Sequence, residues 1–402
     1  MESGRTESPA KTTAAMTGRE RMLTAFARKE ADHVPVSPDL SAMVPVRLSG
    51  KPFDEMFLDG RPHNGYASAS VAEAYVDAVR YYGMDGWYIY GSLPEIVPED
   101  RPRWVRRLEP RPGGGQLEFE EAETPYGPLT QKIIYFTDEP PWEEVKPVKD
   151  LKRDWPRLKS LMGEEEDWKW DPVFLDRERI GTLGVYSVSI GIPQDWWFFQ
   201  RDGGYNTLFF DYVDEPAYIV EIMEYYTRYA LARLDATLQA TPKPDEIMLG
   251  GSASSLSVSS PANFRKYDLP FVKKAADMCA RAGVFSHLHV CGKADKIAEM
   301  VAEETAVDVI EPLEEPPGGN IDIAEYKRRY GDRICLKGNL NTFDFMLNAT
   351  PRQVEDRCKR LIDDCAAGGG FVLSTGDQCG RDTPDANLFK MVEVAKTYGR
   401  YR

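Results

Sequence analysis

A chain of 402 residues with 42% apolar side chains is long enough for one large barrel or two ordinary domains. Its formal charge of -15 argues against nucleic acid and anionic lipid as partners. A charged-then-apolar leader and an apolar run of membrane-spanning length are both lacking, so a cytoplasmic protein is expected. The six cysteines are too few and too scattered for a disulfide framework. Cys279, Cys358 and Cys365 fall on apolar faces of helical stretches and are expected to pack as inert thiols.

Residues 1–15 have little to bury and are expected to be a disordered tail ahead of a single domain spanning 16–402. Thr17-Gly18-Arg19-Glu20 has the capping-box form, and Met22, Leu23 and Phe26 follow at helical spacing, which predicts an N-terminal helix. Strand-like runs then alternate with helical ones. The predicted strands are 33–38, 86–91, 182–191, 246–251, 285–291, 306–311, 334–339 and 369–375. The predicted helices are 71–82, 216–239, 262–282, 293–303, 321–330, 351–367 and 386–398. Eight such units predict an α/β fold of the (β/α)8 barrel type. Between the second and third strands, 103–136 alternates around Gly113-Gly114-Gly115 and Tyr126-Gly127-Pro128, the pattern of hairpins, and 137–180 is Pro-rich and acidic with room for one helix. Residues 103–180 are therefore read as an insertion in the barrel, long enough to act as a lid.

In Phe285-Ser286-His287-Leu288-His289-Val290-Cys291-Gly292, His287, His289 and Cys291 share one face of a strand. Alone, this pattern fits a buried histidine beside an inert thiol better than a metal site. Barrels of this type keep their chemistry at the carboxyl ends of the strands, so the residues closing each strand matter most. They are Asp39, Asp195 with Trp196-Trp197, Gly250-Gly251-Ser252, His289 and Cys291, Glu311, Asn339, and Asp377 with Cys379. His289, Cys291 and Cys379 then meet at one mouth, and three N/S ligands with one position open is the catalytic form of a zinc site. Convergence turns the reading from packing to metal. His287 lies one layer deeper and reads as core. The run Trp196-Trp197-Phe198-Phe199 reads as packing in preference to a substrate floor, and Gly113–Gly115 reads as a turn.

These residues resemble the uroporphyrinogen decarboxylase-like superfamily, in its branch of zinc- and corrinoid-dependent methyltransferases. The likeness is carried by Arg19 to Phe26 with Asp32-His33-Val34-Pro35-Val36, by Ser259-Ser260-Pro261, by Leu288-His289-Val290-Cys291-Gly292, by Lys337-Gly338-Asn339-Leu340, and by Thr383-Pro384 and Asn387 with Met391-Val392. True decarboxylases carry an arginine-rich segment after the first strand, where this chain reads Ser37-Pro38-Asp39-Leu40-Ser41-Ala42-Met43. The resemblance therefore implies methyl transfer to or from the cobalt of a corrinoid held by a partner protein, with a thiol acceptor or O-methyl donor as the small-molecule substrate. It also implies that the third metal ligand is Cys379 or Asp377, since Asp377 stands where the family's last cysteine usually sits. Asp39, Glu311 and Asn339 are the candidates for substrate handling. Two other classes stay open: a metal-independent decarboxylase or lyase, which would show clustered arginines at the mouth, and a non-catalytic binding relative with a closed site.

Overall fold

A computed structural model describes residues 15–59, 68–96, 102–171 and 176–401. The tail expected over 1–15 lies outside them but for Ala15. Among the described residues, eleven strands form two sheets. The larger is parallel, in the order β1 (Gly86–Gly91), β6 (Gly184–Gly191), β7 (Glu246–Gly250), β8 (Phe285–His289), β9 (Val309–Glu311), β10 (Cys335–Leu340) and β11 (Phe371–Thr375). The smaller is antiparallel, in the order β2 (Val105–Pro110), β3 (Gln116–Thr124), β4 (Gly127–Tyr135) and β5 (Trp142–Val145).

The two ends of the parallel sheet are joined by the segment 34–37. Ser37 N–H donates to Leu373 at 2.9 Å, Leu373 N–H to Pro35 at 2.9 Å, and Asp85 N–H to Val36 at 2.8 Å, so the segment lies between β11 and β1. The strand expected at 33–38 is reduced to two isolated bridges, parallel from Val36 to Leu373 and antiparallel from His33 to Arg400. Pro35 and Pro38 carry no N–H, which denies the segment a full ladder on either side.

Helices cover the outside of the curled sheet. Ala69–Tyr82 precedes β1, and Pro216–Leu238, Leu269–Ala282, Asp295–Glu304, Ile323–Tyr330, Pro351–Cys365 and Asp385–Thr397 follow β6 through β11 in turn. Their ends are written in the chain. Thr17 and Thr350 form capping boxes with Glu20 and Gln353, Ser68 and Asp322 cap their helices, and Gly83 and Gly283 close others in the left-handed conformation. Four short helices, Met43–Ser49, Phe53–Leu58, Pro193–Gln200 and Gly204–Asp214, were not expected. Each is brief or rich in aromatic residues, and it is packing, not intrinsic helical preference, that holds such segments.

Between β1 and β6 the chain makes the antiparallel sheet and then the helix Leu151–Met162, capped by Asp150. Gly113, Gly114 and Gly115 turn the first hairpin at φ of 92°, 106° and 87°, and a side chain on Gly115 would run into the Tyr135 carbonyl. A separate apolar cluster ties this excursion to the barrel. Trp155 meets Trp197 edge-on at 6.1 Å, and Leu129, Leu158, Ile222 and Tyr225 fill the space around them. Trp197 is fully buried, so it packs, while Trp196 lies flat on Tyr226 at 4.2 Å.

Below the sheet, Arg21 forms a buried tie across the joint. It donates to Asp32 at 2.7 Å and to Asp85, whose other oxygen accepts the Val36 N–H at 2.9 Å. Both Arg21 and Asp85 are buried. Removing one member of such a pair leaves a charge without a partner. Arg21→Met is expected to lower the unfolding free energy by about 3–5 kcal/mol in denaturant titration. Arg80→Ala, which removes an exposed pair with Asp77, is expected to change it by less than about 0.5 kcal/mol.

Candidate metal centre at the mouth of the barrel

β8 places His287 and His289 on one face by the period-two rule, both toward the barrel interior. It stops at His289, two residues short of the expected end, and Val290 N–H still bonds the Glu311 carbonyl at 3.0 Å. Cys291 therefore stands in a turn. Gly292 makes that turn at φ 78°, where a side chain would meet Ser257 Oγ at 2.6 Å.

Two further loops reach the same point. After β9 the chain reverses at Leu313, φ 57°, and brings in Glu314, whose buried carboxylate accepts the Gly292 N–H. After β11 Asp377 sits at φ 118°, a strained backbone for a residue with a side chain, with its Oδ1 accepting the Gln378 N–H at 2.8 Å. Ligand atoms of Cys291, Glu314 and Asp377 lie within 4.8 Å of one another. His289 adjoins them through a hydrogen bond to the Cys291 side chain. Cys379 does not join the group. It is fully buried in the apolar core, its thiol lies against Thr375 and Thr383, and burial pushes its pKa up to about 12. Glu314 was the residue missed: Glu311-Pro312-Leu313-Glu314-Glu315 reads as a solvated acidic loop, and only the turn at Leu313 buries it.

Behind His289 lies a buried belt of charge. Glu311 divides its carboxylate: Oε1 takes His289 Nδ1 at 2.9 Å and Oε2 takes the Lys337 ammonium. Lys337, fully buried, rests 3.7 Å over the Trp87 ring, and Trp87 donates to Glu246, which holds His287 Nδ1 at 3.1 Å. His287 is thus core, bonded at Nδ1, with Nε2 at 3.9 Å from Glu311. Burial pushes the Glu311 carboxyl up, but the Lys337 charge and the His289 hydrogen bond outweigh it and hold its pKa well below the usual range. Burial opposes charge on His289, yet its bonds to Cys291 and Glu311 raise its pKa well above the ordinary imidazole value. Once the Nε2 proton is lost, an imidazole that donates through Nδ1 to a carboxylate has Nε2 free for a metal.

The remaining candidates ring this centre. Asn339 is buried at the end of β10 and donates through Nδ2 to the Leu313 carbonyl at 2.8 Å, leaving Oδ1 without a protein partner. Asp39 receives the Ser41 N–H at 2.9 Å and is pushed up to about 7, chiefly by burial, against the opposing charge of Lys337 and with Glu311 and Asp377 adding to the rise. Asp195 opens the helix Pro193–Gln200 and accepts the Ala253 N–H at 2.9 Å; burial raises its pKa too. Tyr205, on Gly204–Asp214, stacks on Phe198 at 4.5 Å, and its phenol is raised by burial and then by the Cys291 and Asp195 charges.

The Cys291 sulfur and two carboxylates, with the His289 imidazole adjoining, would make a donor set suited to zinc, harder than a thiolate-rich one. The match to known families falls on this part of the chain: residues 201–398 match the model of uroporphyrinogen decarboxylase (URO-D). The matched region, just under half of the chain, is a domain similar to that family. That domain contains β7 to β11 and with them His289, Cys291, Glu311, Glu314, Asn339 and Asp377, while Asp39 and Asp195 lie outside it. Over 220 residues the chain is 28% identical to the methylcobamide:CoM methyltransferases MtbA of Methanosarcina mazei and Methanosarcina acetivorans, covering 54% of this chain and 58% of each relative. It spans, that is, little more than half the length of those relatives. It is 26% identical over 148 residues to the uroporphyrinogen decarboxylase of Chlorobaculum parvum, 35% of this chain and 39% of that one. A solved methyltransferase from Methanosarcina mazei superposes with TM-score 0.63 at 15% identity, over 95% of this chain and 99% of the other, a likeness of fold. Among the described residues no helix is long and apolar enough to cross a membrane.

Asp39 gives this site a pH signature. Its folded pKa, about 7, is above the value of about 3.9 expected in an unfolded chain, so its contribution to stability is present below about pH 4 and lost as pH rises through 7. In metal-free protein, Asp39→Asn is expected to gain about 2–4 kcal/mol on the wild type between about pH 4 and pH 8, read from denaturant midpoints at each pH.

Proposed function

We propose that this chain is a metal-dependent methyltransferase that moves a methyl group to or from the cobalt of a corrinoid carried by a partner protein, with a thiol or an O-methyl compound as co-substrate. The observation that carries the reading is the meeting of Cys291, Glu314 and Asp377 beside His289 within the matched region. The similarity to methylcobamide:CoM methyltransferases supports the corrinoid half of it.

His289, Cys291, Asp377 and Glu314 would hold a zinc ion, with Asp377 in the place where Cys379 was the rival. Bound there, zinc supplies a Lewis acid that polarises the sulfur or oxygen of the co-substrate. The chain's own residues do the rest. Glu311 fixes the ring and tautomer of His289, and Lys337 keeps that carboxylate ionised by its charge. Asn339 offers an acceptor, Oδ1, to a donor group of the substrate. Asp39, raised to about 7, is placed to hold or release a proton near neutral pH.

Purified protein is expected to hold about one zinc per chain by elemental analysis. Cys291→Ala and Asp377→Ala should lose most of it to a chelator, with affinity down about 10- to 100-fold or more. Cys379→Ser should keep it. A Cys379→Ser protein that is folded and metal-free would return the third ligand to Cys379, and folded wild type without metal would remove the reading.

A further inference from the structure

The acids at the mouth outnumber its cations. Besides Cys291, Glu314 and Asp377, which would face the metal, the buried carboxylates of Asp39 and Asp195 lie near enough to His289 to interact with it, and that of Glu311 is bonded to it from behind. Two lysines act on them, Lys337 on Asp39 and Glu311 and Lys146 on Asp195. Both are committed. Lys337 is held between Glu311 and the Trp87 ring, and Lys146 donates to the Phe198 carbonyl at 2.6 Å while lying 3.7 Å over the Phe198 ring. Arg381, in the loop beyond Asp377, is spent on Asp382 and on the Asp138 carbonyl. A divalent ion would offset part of this negative charge, but its own ligands already supply an anionic thiolate and two carboxylates. Among the described residues, an anionic group on the substrate would meet these acids while the lysines and the arginine beside them are already engaged.

Two fixed acceptors point the same way. Asn339 is 1% exposed, and because Nδ2 is tied to the Leu313 carbonyl its amide orientation is set, so Oδ1 is a buried acceptor without a donor. β10 turns alternate side chains inward, and Asn339 stands two residues above Lys337 on that inner face, toward the mouth. Asp195 stands beside the gap left by Gly191 and Gly250: the position a side chain would take on Gly250 is 3.5 Å from Asp195 Oδ2, and Gly250 is paired with His289. The stacked Trp196 and Tyr226 rings border this gap, with Tyr226 donating to the Gly191 carbonyl at 2.8 Å.

We infer that the small-molecule substrate of this site is neutral or cationic and presents a hydrogen-bond donor, hydroxyl or ammonium, to Asp195 and Asn339, and that anionic co-substrates are excluded. The inference rests on the metal-dependent reading above and narrows it.

The test uses three thiols of similar size as probes of full-length protein loaded with cobalt(II): 2-mercaptoethylamine, 2-mercaptoethanol and 2-mercaptoethanesulfonate. Binding is read from the sulfur-to-cobalt charge-transfer absorption. The amine and the alcohol are expected to bind at least about tenfold more tightly than the sulfonate. In Asp195→Asn the ratio of amine to sulfonate affinity should fall severalfold, a comparison in which each thiol's own acidity cancels. Asn339→Leu should weaken the amine and the alcohol and leave the sulfonate as it was. Equal or tighter binding of the sulfonate to the wild type would overturn the charge inference while leaving the metal reading intact. An unchanged ratio in Asp195→Asn would overturn the assignment to Asp195. Failure of the protein to take up cobalt, or of every thiol to coordinate it, would overturn the metal reading and the inference with it.

Discussion

The Glu311 carboxylate has two duties, and the centre depends on their being met together. One oxygen holds His289 Nδ1 and the other holds the side-chain nitrogen of Lys337, which is fully buried. The carboxylate is in turn kept ionised by Lys337, which is what lets it accept from the imidazole. Removing either partner would leave a buried charge unmatched and free the histidine ring to turn. The belt continues through Trp87, Glu246 and His287, so side chains from β1, β7, β8, β9 and β10 are linked inside the barrel beneath the mouth.

Above that belt, the centre is assembled from loops. Cys291, Glu314 and Asp377 each follow a different strand, and each lies at or next to a backbone turn with positive φ, at Gly292, Leu313 and Asp377 itself. Rigid strands bring the loop bases together, and the turns then aim the side chains inward. Strained backbone at two non-glycine positions persists because the surrounding packing overdetermines it. Under the metal-dependent reading the donor set would be harder than the two-thiolate set that the family resemblance implies, since Cys379 is withdrawn into the core. Fewer thiolates leave a bound metal more electrophilic, which suits polarising an oxygen as well as a sulfur.

The acids around the centre deepen this departure. Asp39, Asp195 and Glu314 are all raised chiefly by burial, the mark of carboxyls crowded into a space with little water. Such a mouth favours a ligand that brings donors or positive charge. Tyr205 and the Trp196–Tyr226 stack add aromatic surface next to it, delivered by helices that the parallel sheet alone does not require.

Much of the frame was legible in the order of residues. Seven of the eight expected strands form the parallel sheet, at bounds shifted by up to three residues, because a strand buried on both faces leaves an apolar run that needs no context to read. Period two put His287 and His289 on one face, and the strand bounds placed Glu311 and Asn339 at strand ends. The eighth segment, 33–38, was legible as extended but not as weakly paired, since its hydrogen bonds depend on which edges lie beside its prolines. What tertiary structure alone shows is the approach of Asp377, in place of Cys379, to Cys291 and the entry of Glu314 beside them. Both turn on backbone dihedrals in loops, Asp377 at φ 118° and Leu313 at φ 57°, which composition and spacing do not encode. A shift of one residue in a turn sends one side chain to the mouth and its neighbour to the core, and the packing of the whole barrel makes that choice.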